Sequence, residues 1–246
     1  MSVAAFVIAM RSAVERTDQV DRLIAASPVP CRRWDATDGR ALSAEETARY
    51  HSPELHHPHY GFGLTDAEIG CFLSHRRIWQ QVVDESLSHA LIMEDDLELL
   101  PNFDAVFDFA LHHAPPTSFI KFDVRDFHGR CSPIVEVGGM AIVRPATIPL
   151  RATAQLVTRH AAERLLEQTR TFDRPVDTFL QMRWLHNVDI LVARPRCTAE
   201  VSAQIGGSII NRYKRRRPLF QTMLRECQRA IYRRHISQRS RRDAAA

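Results

Sequence analysis

The sequence predicts an α/β fold, and three observations carry that reading. The opening run AAFVIAM (residues 4–10) is continuously apolar and stops at Arg11, as expected of a strand buried on both faces of a parallel sheet. A weakly amphipathic stretch and a second strand-like segment follow within forty residues, the beginning of a β-α-β unit. Further on, HALIMEDDLELL (residues 89–100) carries another apolar run straight into three acids, Glu94, Asp95 and Asp96.

At 246 residues the chain suits one large domain, read as residues 1–210, followed by a basic tail, residues 211–246. With 45% hydrophobic and 25% charged residues the composition is that of a folded soluble protein. No run approaches the ~18 apolar residues of a membrane span. The apolar start has no positive residues before it and meets Arg11 where a small-residue cleavage site would stand, so a secretory signal is not expected and a cytosolic setting is. Five scattered cysteines fit reduced thiols better than a disulfide framework. Residues 211–246 hold twelve Lys or Arg against two acids, Glu226 and Asp243, leaving 21 basic and 27 acidic residues elsewhere. An acidic body thus carries a basic tail.

After the first strand, residues 13–26 place Val14, Leu23 and Ile24 among charges and stop at Pro28 and Pro30, as a helix would. A strand over residues 31–36 leads into the turn Thr37-Asp38-Gly39. HSPELHHPHYGFG is a loop, because its prolines and glycines break either periodicity. Thr65 and Glu68 have capping-box spacing and open a helix of about twenty residues, whose apolar stripe runs through Cys71, Ile78 and Val82 with Phe72, Trp79 and Val83 alongside. The strand at residues 90–93 follows. Pro101 then starts a Phe-rich helix, and SFIKF makes another strand. VEVGGMAIV and ATAQLVT read as two strands joined through Pro145 and Pro149. A helix over residues 159–168, a second beginning near Pro175 and the strand DILVA complete the domain.

Alternation along a strand projects Glu94 and Asp96 to one face and Asp95 to the other. In open α/β sheets ligands bind outside the carboxyl ends of the strands, where these acids fall. Two carboxylates at that spacing repel unless a cation lies between them, and magnesium or manganese bound through one or two carboxylates and nucleotide phosphates would relieve the repulsion. A solvated strand end explains the cluster equally well from spacing alone.

EIGCFLSHRRIWQQVVDE followed by HALIMEDDLEL resembles the central signature of glycosyltransferase family 25, the group that includes bacterial lipooligosaccharide galactosyltransferases. FVIAMRSAVER, DATDGRALS, LVTRHAAERLLEQ, RPVDTFL, ARPRCTAEV and GGSII agree in order, so the likeness spans residues 3–210. The resemblance implies a GT-A type α/β fold, a UDP-sugar donor, inverting transfer to a glycan hydroxyl, and a divalent metal, Mn or Mg, held by Glu94 and Asp96. It implies a catalytic base at Asp177, in the Pro-Val-Asp setting, and donor-side contacts from Arg11, Asp38, Gly39, Glu68, Ser74, His75 and Asp95. Most have a structural alternative. Asp177 in a first helical turn complements the helix dipole, with Asp173 a possible cap and Pro175 a helix start. Glu68 closes a capping box, and His75 falls on an apolar stripe where a hydrogen-bonded core histidine is the default. Arg16 reads as a solvated helix residue. Asp123 and Asp126 are weaker candidates for the base. His51, His56, His57 and His59 invite a zinc site without cysteine support, and Gly138-Gly139 is a weak phosphate cradle.

From Pro218 onward, Phe220, Met223, Leu224, Cys227 and Ile231 recur at helical spacing with arginines between them. Such a basic amphipathic helix suits an anionic membrane surface; the acidic body and the lack of a motif argue against nucleic acid. The expected setting is the inner face of the cytoplasmic membrane, beside a glycan or lipid-linked saccharide acceptor. The alternative is a non-catalytic relative that binds membrane or nucleic acid through the tail.

Overall fold

In the computed structural model, which describes residues 1–205, 207 and 219–243, the first apolar run forms β1 (Val3–Ala9). It pairs in parallel with β2 (Cys31–Asp35) and β3 (His89–Glu94), and α1 (Thr17–Ala25) makes the crossover. After β4 (Leu97–Leu99) come β5 (Ser118–Lys121), β6 (Cys131–Val137), β7 (Met140–Pro145), β8 (Ala154–Thr158), β9 (Asp189–Arg194) and β10 (Thr198–Glu200). Eight of these make one sheet in the order β2-β1-β3-β8-β5-β9-β7-β6, and β4 pairs with β10.

The α/β class expected from sequence is therefore present, with a mixed sheet. β8 lies antiparallel between β3 and β5, while β5 and β9 are parallel. The segment VEVGGMAIV, read as a single strand, is the tip of the β6-β7 hairpin. Gly138 and Gly139 have φ of 60° and 80°, left-handed values that glycine alone adopts readily and that match the twist of an antiparallel pair. They make a turn, and no phosphate cradle forms there.

Side-chain alternation divides the core across the sheet. Phe6, Ala90 and Ile92 face α3 (Asp66–Asp84); Ala5, Val7, Leu91 and Met93 face α1 and α4 (Phe103–His113). α3 begins as predicted, with Thr65 and Glu68 closing a reciprocal capping box. Its Phe72, Ile78, Trp79 and Val82 are fully buried, each contributing about 1.5–3 kcal/mol by leaving water. Phe72 also stacks on Phe172 with centroids 3.9 Å apart.

The helix Leu219–Asp243 packs back onto this body. Tyr232 and Ile236 are buried with Met182, and Tyr60, Trp184 and Leu185 close round them. Ile231, assigned to the apolar stripe from sequence, is 56% exposed; the side chains of Phe220, Met223, Leu224 and Cys227 lie outside the described residues, as do residues 208–218. The docking face is set by a buried cation. Arg174 has no exposed surface, donates twice to Asp173 at 2.7 and 2.8 Å, and donates to the Tyr232 hydroxyl at 2.8 Å. Asp173 also accepts from the His56 amide at 2.9 Å. It is an ion-pair partner and not the cap of α6 (Val176–Leu180), whose N-terminal boundary is Pro175.

Burial raises the Asp173 carboxyl, but hydrogen bonds from Arg174 and His56 outweigh it and hold the group well below the usual carboxylate range. A depressed carboxylate pKa stabilises the fold above the unfolded value of about 3.9 and loses that contribution as pH falls toward the folded value. Asp173→Asn, which leaves Arg174 buried without its counter-charge, is expected to cost about 3–5 kcal/mol at pH 7. Urea titrations from pH 7 to pH 3 should show the penalty shrinking with acidification; a pH-independent penalty would mean packing, not charge, dominates.

Candidate functional site

The β3 alternation that sends Ala90 and Ile92 toward α3 also sends Glu94 there. The strand ends at Glu94, whose amide donates to the Thr153 carbonyl at 2.7 Å, and Asp95 and Asp96 form the turn into β4. Asp95 swings to the α1 side and forms a buried ion pair with Arg16, which also donates to the Gly207 carbonyl. Arg16 is thus no solvated helix residue. It is 2% exposed, because it sits in a 3-10 turn before α1 that aims it at the end of β3.

Among the described residues Asp96 has no such partner. Its Oδ1 is buried without a hydrogen bond, and burial, followed by the charges of Glu94 and Asp95, pushes its carboxyl up to about 7. An unpartnered carboxylate oxygen beside a second carboxylate is what a divalent cation would satisfy. Glu94 and Asp96 therefore fit the metal that the sequence reading assigns to them.

α3 supports Glu94 from behind. Gln155 on β8 lies 3.1 Å from His75 Nδ1, and a donated amide hydrogen there leaves Nε2 to donate to Glu94 Oε1 at 3.3 Å. His75 is fully buried, a hydrogen-bonded core histidine that reaches the acidic turn through Glu94. Cys71 Sγ, His75 and Glu94 place ligand-type atoms within 4.8 Å of one another. Burial, and next Glu94, raise the Cys71 thiol well above its ordinary value, which disfavours the thiolate that metal ligation needs. Ser74 donates to the Gly70 carbonyl at 2.7 Å and accepts from the Thr37 amide at 2.8 Å, tying α3 to the Thr37-Gly39 turn. That turn lies against the helix so closely that a Cβ on Gly39 would stand 1.8 Å from the Asp66 carbonyl oxygen. Gly39 is required by packing.

Two cavities meet at the acids. The larger, about 610 Å³ and lined by Glu68, Glu94, Asp96, Asp177, Arg151 and Glu200 among others, is of the size that holds small-molecule ligands. The smaller, about 130 Å³, is lined by Asp38, Gly39, Ser74, Glu94, Asp95 and Asp96 among others. Asp177 Oδ2 accepts from the Arg151 amide at 2.8 Å and Oδ1 from the Thr178 hydroxyl at 3.1 Å. Glu68 keeps its capping bonds to Thr65 at 2.8 Å while facing the larger cavity. Arg11 lines neither cavity; it pairs on the surface with Asp35 at 2.7 Å. Asp123 and Asp126 border a separate cavity, and Asp123 pairs with buried Lys121. Of the loop histidines, His56 serves Asp173, and among the described residues none joins a metal-type group. Residues missed from sequence are Arg151, Glu200, Tyr60, Tyr232, Arg229 and Arg233, all lining the larger cavity. Only long-range folding brings them there.

With this geometry in place, the sequence profile described as "Glycosyltransferase family 25 (LPS biosynthesis protein)" matches residues 3–128. The chain belongs to glycosyltransferase family 25. The match takes in α3, the acidic turn and the smaller cavity's lining; Asp177 and the C-terminal helix lie beyond it. Curated relatives include the Danio rerio protein named procollagen galactosyltransferase 1, 35% identical over 37% of this chain and 16% of that one. A Drosophila melanogaster glycosyltransferase 25 family member is 35% identical over 40% and 16%. A Rattus norvegicus protein named probable inactive glycosyltransferase 25 family member 3 is 33% identical over 40% and 18%. The chain spans about a sixth of the length of these relatives.

The unrelieved repulsion at Asp96 predicts a trade-off between stability and binding. In chelator, Asp96→Asn should stabilise the fold by roughly 1–3 kcal/mol. Equilibrium denaturation measures it, and a loss of stability would reveal a protein partner for Asp96.

Proposed function

We propose that the chain is a metal-dependent, inverting glycosyltransferase that moves a sugar, galactose in the first instance, from a UDP-sugar to a hydroxyl of a lipopolysaccharide or related glycan. The observation that carries this reading is the unpartnered Asp96 oxygen beside Glu94 at the junction of the two cavities. Family membership supports glycosyl transfer as the class of reaction. The smaller cavity, walled by the Thr37-Gly39 turn and the end of β1, takes the nucleotide; the larger takes the transferred sugar and the acceptor.

Glu94 and Asp96 would hold manganese or magnesium, which when bound neutralises charge developing on the departing diphosphate, worth several kcal/mol. His75 fixes Glu94, and Arg16 neutralises Asp95, so Glu94 and Asp96 are the two carboxylates left for the cation. Asp177 accepts the proton of the acceptor hydroxyl as that oxygen bonds to the anomeric carbon and the diphosphate leaves with the old bond's electrons. The Arg151 amide and the Thr178 hydroxyl orient the Asp177 carboxylate.

Relatives named as inactive favour one other reading, a non-catalytic protein that acts through its basic end. Titration of UDP separates the two. Affinity should rise at least tenfold with manganese, and Asp96→Asn should remove the gain; a metal-independent affinity supports the non-catalytic reading. Asp177→Asn should lower kcat by roughly a hundred- to ten-thousand-fold with UDP affinity retained. A kcat within a factor of three of wild type removes Asp177 as the base.

Residues 211–246 are proposed to hold the enzyme against an anionic, cytoplasm-facing membrane. No helix among the described residues is long and apolar enough to cross a membrane. Changing Arg212, Lys214, Arg215, Arg216 and Arg217 to Gln should weaken sedimentation with anionic vesicles, at about 1 kcal/mol per charge near the surface. Unchanged sedimentation would refute this attachment.

A further inference from the structure

The larger cavity is electrostatically two-sided. Outside the C-terminal helix its lining is acidic, with Glu68, Glu94, Asp96, Asp177 and Glu200 against the cation Arg151. The C-terminal helix adds Glu226, Arg229, Tyr232 and Arg233. Arg229 donates to Glu226 at 2.5 Å and Arg233 lies 3.8 Å from the same carboxylate, so these three side chains together carry one net positive charge. Arg229 and Arg233 are 48% and 67% exposed, and each guanidinium carries five N–H donors, more than the Glu226 carboxylate takes up.

Aromatic rings line the same wall. Tyr60 packs edge-on against Phe62 at 5.2 Å and against Tyr232 at 5.5 Å, and the Arg229 guanidinium lies 5.6 Å from the Phe62 ring centre. Rings with polar tips present large apolar surface beside hydrogen-bonding groups, which suits the C–H faces of a saccharide. Arginine forks match carboxylate and phosphate oxygens. The wall is rigidly placed, because Tyr232 is latched to buried Arg174.

We propose that Tyr60 and Phe62, backed by the buried Tyr232, form with Arg229 and Arg233 an acceptor subsite for an acidic saccharide, one bearing a phosphate or carboxylate. The proposal rests on the transferase reading and adds the class of acceptor. The smaller cavity shares Cys71, Glu94 and Asp96 with the larger but none of the helix residues, so the arginines lie on the portion away from the nucleotide. An anionic group is repelled by the acidic side and drawn to the arginines, which turns the rest of the sugar toward Asp177. Arg229, Tyr232 and Arg233 come from a helix beyond the family match, whereas Tyr60 and Phe62 lie within it.

The test uses the full chain without nucleotide or metal. Binding of glucose, glucose 6-phosphate, lactose and 3′-sialyllactose is measured by calorimetry or ligand-observed NMR. Each charged sugar, or the phosphate or carboxylate type alone, should bind at least tenfold more tightly than its neutral counterpart. The R229Q/R233Q variant should lose that preference, and the R229K/R233K variant should retain part of it. Both residues are exposed, and unchanged thermal midpoints verify folding. Equal binding of charged and neutral sugars, or a preference that survives R229Q/R233Q, overturns the proposal. So does inorganic phosphate binding as tightly as glucose 6-phosphate, which would mark a bare anion site. Absence of sugar discrimination in the unsubstituted chain, with manganese-dependent UDP binding intact, defeats the subsite alone; discrimination without manganese-dependent UDP binding defeats the transferase reading.

Discussion

Three adjacent carboxylates at the end of β3 set the terms for the rest of the structure. Packed side by side in a partly buried turn they repel one another, and the fold provides one buried cation, Arg16, which goes to the middle acid, Asp95. Glu94 receives a hydrogen bond from buried His75. Asp96 receives nothing at its buried oxygen. Such a residue costs stability in the protein alone, and a bound cation would recover that cost. The arrangement is intelligible as a binding site and poorly intelligible as a strand end.

The surrounding architecture keeps this turn accessible from two sides. Close backbone contact at Gly39 and Gly70 draws the Thr37-Gly39 turn onto α3 and shapes the smaller cavity. On the other side, the Asp173-Arg174 pair acts over a long sequence separation, linking the His56 loop, the start of α6 and the C-terminal helix. The helix that carries part of the basic C-terminal charge therefore also walls the larger cavity. Charge that composition assigns to a tail is shared between surface and site.

Local signals in the sequence were accurate where local physics decides. The capping box at Thr65 and Glu68 sets the start of α3. The apolar run ending in acids gives β3, and Glu94 and Asp96 line the larger cavity without Asp95, though the strand stops at Glu94 and a turn places the other two. The Gly138-Gly139 turn was equally local, but its flanking apolar residues masked a hairpin as one strand. Arg16, Arg151 and Tyr232 were not legible, because each acquires its role from a partner far along the chain. Buried ion pairs leave no periodic trace, and an arginine destined for the core reads like one destined for solvent. Arg11 shows the converse: adjacent to the first strand and basic, it still ends on the surface with Asp35.

Family membership supports glycosyl transfer as the reaction class, and the proposed metal site rests on the geometry, an unsatisfied oxygen between two cavities. Anomalous diffraction at the manganese edge, from crystals grown with Mn²⁺ and UDP, tests that proposal most directly. The account predicts one manganese peak about 2.0–2.3 Å from an Asp96 oxygen, with Glu94 as a direct or water-bridged ligand and the diphosphate in contact. A peak elsewhere, or UDP bound with those carboxylates untouched, would contradict it.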